Sequence, residues 1–240
     1  MQQSTETASG LESCSPRIAA ELLRGAGAAS VTLYRRDEQP TLEAYAHCMH
    51  EDGSLLLACA PAAQQAGDAV EDVRIDFFLE APEAEVRILA ASAHMLASLE
   101  WVSVDDLADD WPEALQDAAA APGVRLAVIR AESMLIHDAA GVSRLELSAV
   151  LESAPQIDVG VHLPARREAA TIALEVMTGL RPGAVLSSAS LPARFAHLTG
   201  RAFIVDASPS TLTLMHIGQQ RISTVRTCVR QSVRGAPVEA

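Results

Sequence analysis

Alternation of apolar and polar positions dominates residues 29–147 and predicts β-strands throughout that region. Turn signals separate the strands, and Glu51-Asp52-Gly53 in particular favours a hairpin. The predicted strands are Ala29–Tyr34, Glu43–His50, Ser54–Cys59, Asp72–Leu79, Val86–Leu96, Arg125–Arg130, Ser133–His137 and Ser143–Leu147. Many short strands that follow one another along the chain are typical of antiparallel sheets.

Helical patterns interrupt the strands at only a few places. A helix begins with Ser15 as its N-cap and Pro16 in its first turn. Its apolar stripe consists of Ile18, Leu22 and Leu23, and either Gly25 or Gly27 ends it. A second helix is predicted over Asp105–Ala121 and a short helical turn over Leu147–Glu152. This order favours an antiparallel barrel over alternating βαβ units.

The pattern changes after residue 152. Ser153–Val161 has the composition of a linker, and helices are predicted at Ala165–Thr178 and Leu191–Leu198. Three further strands are predicted at Ala202–Asp206, Thr211–Ile217 and Arg221–Arg226. The sequence therefore predicts a disordered segment at 1–14, a barrel domain at 15–152, a small α+β domain at 160–230 and a tail at 231–240.

The charge composition excludes several kinds of chemistry. The 240 residues carry 31 acidic residues against 18 basic ones, all of them Arg, and the chain contains no Lys and no Asn. Schiff-base lysine catalysis, a P-loop and an Asn-containing triad are therefore impossible. A net charge of −13 with 3% aromatic residues also argues against nucleic-acid binding. Most of the acidic residues lie in the first 120 positions, and most of the Arg lies beyond them.

The four cysteines match no zinc or CxxC pattern; they are Cys14, Cys48, Cys59 and Cys228. The first residues are polar and do not resemble a signal peptide, and no apolar stretch is long enough to span a membrane. We expect a cytoplasmic protein with reduced thiols and no membrane partner.

Three stretches of the chain resemble a known family. Arg17–Tyr34 and Ala44–Pro61 resemble the opening strands of the FMN-binding split barrels, the pyridoxamine-phosphate-oxidase-like superfamily. Leu126–Pro155 resembles the last barrel strands of its actinobacterial haem-utilisation branch, which includes HugZ-like haem oxygenases. The resemblance implies an α+β, mainly β fold, in which an antiparallel split β-barrel precedes a small α+β domain. It also implies a homodimer with cofactor sites between subunits.

Several functions remain open on this resemblance. The first is haem binding in haem or iron utilisation, including oxygenase-like haem degradation. The second is an FMN- or deazaflavin-dependent oxidoreductase, which is disfavoured because Ala60–Val70, where the family holds the flavin phosphate, lacks Arg, Ser and Thr. The third is a cofactor-free barrel that regulates a protein partner. The sequence does not decide whether the chain is an enzyme.

The predicted ligand site lies in the small domain, where histidine and arginine occur together. His162 is the candidate iron ligand because haem iron accepts a neutral imidazole, and Arg166 and Arg167 beside it suit haem carboxylates or another small anion. His216 is a second candidate cofactor-binding residue. The plainer alternatives are a surface histidine at the start of a helix for His162 and a half-buried strand histidine for His216. In the related family the small domain often opens with a sequence motif that carries two histidines; His162 matches the first, and Arg167 replaces the second.

Overall fold

A computed structural model describes residues 14–50, 52–61, 69–83, 85–103, 111–152, 162–208 and 210–228, with the backbone alone at 162–167. The chain forms two compact units. The first contains Cys14–Glu80 and Leu89–Pro155. The second contains the chain from Gln156 onwards together with Ala81–Ile88, a segment that lies between two strands of the first unit in the sequence.

The first unit is built on an antiparallel sheet of eight strands. They are β1 (Ala28–Thr32), β2 (Thr41–Met49), β3 (Leu55–Cys59), β4 (Glu71–Glu80), β5 (Leu89–Val102), β6 (Arg125–Arg130), β7 (Ser133–Asp138) and β8 (Gly141–Glu146). Six of them close a barrel in the order β4-β1-β2-β3-β6-β5, because β4 also pairs with β5. β7 and β8 extend the sheet beyond β5.

The barrel closes around the side chains that alternation predicted to face inwards. In β4, Val73, Ile75 and Phe77 are fully buried, and the residues between them face outwards. Their burial removes apolar surface from water, and each such side chain contributes about 1.5–3 kcal/mol. The predicted mainly β fold with an antiparallel barrel is confirmed, although β5 runs six residues beyond its predicted end at Leu96.

Helix α1 (Ser15–Leu23) packs its apolar stripe into the barrel core, since Ile18, Leu22 and Leu23 are buried there. The predicted N-cap is wrong by one residue: Cys14 occupies that position, and the Ser15 hydroxyl donates instead to Asp138 at 2.7 Å. Helix α2 (Glu113–Ala119) buries Leu115 against the outer side of β3 and β6. It begins at Glu113, with Pro112 as its N-cap. The predicted start at Asp105 lies outside the described residues. A short helix α3 (Leu147–Glu152) follows β8, as predicted.

The second unit packs one helix on a four-stranded antiparallel sheet. Its elements are α4 (His162–Met177), β9 (Gly183–Ser190), β10 (Ala202–Ala207), β11 (Thr211–Ile217) and β12 (Arg221–Cys228), in the sheet order β10-β11-β12-β9. The predicted helix at Leu191–Leu198 is a 3-10 helix over Ala193–Leu198, which follows Pro192. The strand β9 was not predicted from the sequence.

All four cysteines are free thiols. No helix in the described ranges is long and apolar enough to cross a membrane.

His47 on β2 is a buried polar residue in the barrel core. Its Nε2 lies 2.8 Å from the Leu22 carbonyl oxygen of α1, and its ring packs against Phe77. Burial lowers the pKa of His47 below its ordinary value of 6.5, although hydrogen bonds to the backbone of Leu22 and Ala26 act in the opposite direction. The folded barrel therefore holds this imidazole in its neutral form.

We expect the barrel to lose stability below pH 6.5 through His47. The pKa of His47 is lower in the folded barrel than in the unfolded chain, where it is near 6.5. The stability that the neutral imidazole contributes is therefore fully present above pH 6.5 and is lost as the pH falls through the folded pKa. The loss is at most about 1.4 kcal/mol per pH unit. Urea unfolding at several pH values, followed by tryptophan fluorescence, measures it, since Trp101 and Trp111 both belong to the barrel unit. The variant His47→Gln should flatten this slope, and an unchanged slope would contradict the assignment.

Candidate functional site

The strand β5 changes partners along its length, and a groove opens on the barrel unit where it does so. Ser92–His94 pair with β7, whereas Ser98–Val102 pair with β6. Neither register includes Met95–Ala97, which line the groove beside the turn between β6 and β7. The groove has a volume of about 760 Å³. This volume falls within the range of about 300–1,000 Å³ that small-molecule sites occupy.

Two leucines in the groove are unusually exposed for strand residues. Leu96 on β5 is 65% exposed and Leu135 on β7 is 37% exposed, and both line the groove. Met95 and Met134, the neighbours that also line it, are buried in the barrel core. A single exposed leucine is ordinary, but two on one concave surface give a ligand an apolar area to cover.

Three arginines line the same groove: Arg74 on β4, Arg130 at the end of β6 and Arg144 on β8. Arg74 pairs with Asp76 at 2.6 Å, and Arg144 approaches Glu146 at 3.6 Å. In the part of the chain that the structure describes, no carboxylate lies within ion-pair distance of Arg130. The groove therefore offers a guanidinium that can pair with an anionic ligand.

His94 lines the groove from β5, and its ring stacks on that of His137 from β7. The ring centroids are 5.6 Å apart and the planes are inclined by 28°. Burial is the main cause that lowers the pKa of His94, and the positive charge of Arg74 adds to it. Asp76 acts in the opposite direction, and His137 lowers the pKa slightly further. His94 is therefore neutral at pH 7, which is the form that binds a metal or haem iron.

The structure places the sequence-predicted site residues in the second unit. His162 is the first residue of α4, and Arg166 and Arg167 lie within its first two turns, but their side chains lie outside the described residues. His216 lies on β11, is buried, and shares a strand face with Leu212 and Leu214, which belong to the core under α4. Burial lowers the pKa of His216. The clustering of His162 with His216 remains a prediction.

A larger metal centre does not form in the described ranges, where no three His, Cys, Asp or Glu side chains come together as ligands. Among the groove's lining residues one chain offers the imidazole of His94, and His137 stacks on it from beside the groove. An ion or iron held there would keep open coordination positions.

Sequence reasoning missed the groove residues for a physical reason. His94, Arg130 and Arg144 are far apart in the sequence, and only the register of β5 with β7, and of β7 with β8, brings them together. Alternation does place His94 and Leu96 on one face of a predicted strand, which is the one signal that the sequence holds. It does not show which strand lies beside that face.

The fold defines the chain as an antiparallel barrel followed by a small helix-on-sheet unit. No protein-family model matches the sequence, and no curated protein matches it. A haem-binding protein from Mycobacterium smegmatis has a similar structure, with a TM-score of 0.50 and 14% sequence identity, over 96% of this chain and 92% of that chain. At this identity the similarity shows a shared fold.

A second solved structure, a protein of unknown function from Agrobacterium tumefaciens, is also similar. Its TM-score is 0.39 at 14% identity, over 89% of this chain and 88% of that chain.

Proposed function

We propose that the chain binds haem in the groove beside β5. The observation that carries the proposal is a neutral imidazole, that of His94, in one concave surface with exposed leucines and the arginine Arg130. Haem is a flat apolar ring with two carboxylates and an iron. The leucines suit the ring, the arginine suits a carboxylate and the imidazole suits the iron. The M. smegmatis protein that shares the fold is described as haem-binding, which agrees with this chemistry.

Each groove residue has a separate part in the proposal. His94 would hold the iron, Arg130 would pair with a carboxylate, and Leu96 and Leu135 would cover the ring. When bound, haem supplies the reactivity of its iron, and the chain supplies the ligand and the apolar surface. His162 is the competing iron ligand and comes from the sequence motif alone.

The wider role that we propose is in haem utilisation, as the resemblance to the HugZ-like branch implies. Oxygenase-like degradation of haem and a homodimer with the groove near its interface belong to the same proposal. Haem binding is the step that degradation, storage and transfer of haem share, and it is tested first.

Haem titration of the purified full chain tests the proposal. We expect a Soret band shifted from that of free haem, saturation at one haem per chain and a micromolar or tighter dissociation constant. FMN, titrated in parallel by fluorescence quenching, should bind at least about tenfold more weakly, because Ala60–Val70, where the related family holds the flavin phosphate, contains no Arg, Ser or Thr. An unshifted haem spectrum would overturn the proposal, and tight FMN binding without haem binding would favour the flavin alternative.

A further inference from the structure

The paired rings of His94 and His137 form a second feature of the outer barrel face, and it does not depend on haem. The two residues lie diagonally across neighbouring strands, because His94 is opposite Leu135 and His137 is opposite Ser92. Diagonal neighbours in an antiparallel pair lie about 7–8 Å apart at their backbones, which long and aromatic side chains span. The sheet therefore fixes both imidazoles on one surface without a flexible loop.

The separation of the rings is close to what a shared metal ion requires. With metal–nitrogen bonds of about 2.0 Å, two imidazoles on one tetrahedral ion have ring centres roughly 5 Å apart. The observed centroids are 5.6 Å apart with the planes inclined by 28°, so both rings would turn about their side-chain bonds to aim one nitrogen each at a common point. We propose that His94 and His137 together chelate a divalent transition-metal ion of the class that prefers imidazole, such as Zn²⁺, Ni²⁺ or Cu²⁺.

The charged groups around the pair partly offset one another. Asp76 on β4 lies directly opposite His94 and offsets the positive charge of Arg74, to which it is bound. Arg144 on β8 faces Leu135 and pairs with Glu146, so its charge is also partly offset.

The site would leave most of the ion's coordination positions open. No third protein ligand joins the pair within the described residues, so solvent or a small molecule would complete the coordination. Because His94 also serves the proposed haem site, bound metal and haem would compete for one imidazole. The metal site itself stands on the ring geometry and does not require that haem binds.

Calorimetric titration of the full chain with Zn²⁺ tests the chelate. We expect one ion per chain with a micromolar dissociation constant. His94→Ala and His137→Ala should each weaken Zn²⁺ binding by about tenfold or more, because even the loss of an outer-sphere partner costs about 10–100-fold in metal affinity. The matched control is His197→Ala, which removes an exposed histidine of the second unit and should leave the affinity unchanged. Circular dichroism of each variant confirms that it is folded.

Two further readouts separate this site from the haem site. Saturating Zn²⁺ should weaken haem binding to the wild type but not to His137→Ala, which keeps His94 for haem. Zn²⁺ binding that survives both single variants, or none at all in the wild type, would overturn the chelate. If Zn²⁺ binds as expected while haem does not, the metal site stands and the haem proposal fails.

Discussion

Replacement of Gly27 by alanine should destabilise the barrel by roughly 2–5 kcal/mol. Gly27 joins α1 to β1 with φ of +74°, a conformation that costs a residue with a Cβ roughly 1–2 kcal/mol. A Cβ at this position would also lie 2.2 Å from the carbonyl oxygen of Phe78, which is backbone of β4 and cannot rotate away. Relief of the overlap would separate β1 from β4 next to the register pair Ala28 and Phe78, which joins these two barrel strands.

Gly123 provides the matched control for Gly27. It has φ of +80°, but no atom lies within 4 Å of the position that its Cβ would occupy. Gly123→Ala should therefore cost only the conformational part, roughly 1–2 kcal/mol. Urea unfolding followed by the fluorescence of Trp101 and Trp111 compares both variants with the wild type. If both variants lose the same free energy of unfolding, the overlap with the Phe78 carbonyl does not contribute to the cost of Gly27→Ala.

The barrel was predictable because its strands alternate strongly. In β4, every second residue from Val73 to Phe77 is apolar. That period of two predicts a strand with these side chains on its buried face. The strand β9 was not predicted because its sequence, from Gly183 to Ser190, consists mostly of small residues with no β-branched run. It forms through pairing with β12 rather than through its own propensity, which is the kind of tertiary effect that local patterns do not record.

The structure adds a candidate site that the charge pattern along the sequence did not indicate. The sequence divides into an acidic first half and an Arg-richer second half, which favoured an anion site in the small domain around His162. The fold does not follow that division, since Arg130 and Arg144 belong to the second half of the sequence but line the barrel groove with Arg74. Charge along a chain predicts a binding surface only when the strand register is known.

His94→Ala should weaken haem binding by about tenfold or more and remove the shifted Soret band. In the groove, His94 is the lining residue that has an imidazole, so its loss leaves the iron without a protein nitrogen. Its position on an outward face of β5, opposite Asp76, means that alanine there removes no core contact. The loss of affinity should therefore appear without a comparable loss of stability, which urea unfolding measures in the same preparation.

His162→Ala is the decisive comparison, because the sequence motif and the groove predict different iron ligands. If the groove holds haem, His162→Ala keeps the wild-type spectrum. Arg130→Ala then weakens haem binding but keeps the position of the Soret band, because this variant removes the partner of a haem carboxylate and not the iron ligand. If His162→Ala removes the shifted band and His94→Ala does not, the site belongs to the small domain and the groove assignment is wrong. His197→Ala, an exposed histidine in neither site, sets the size of a nonspecific effect.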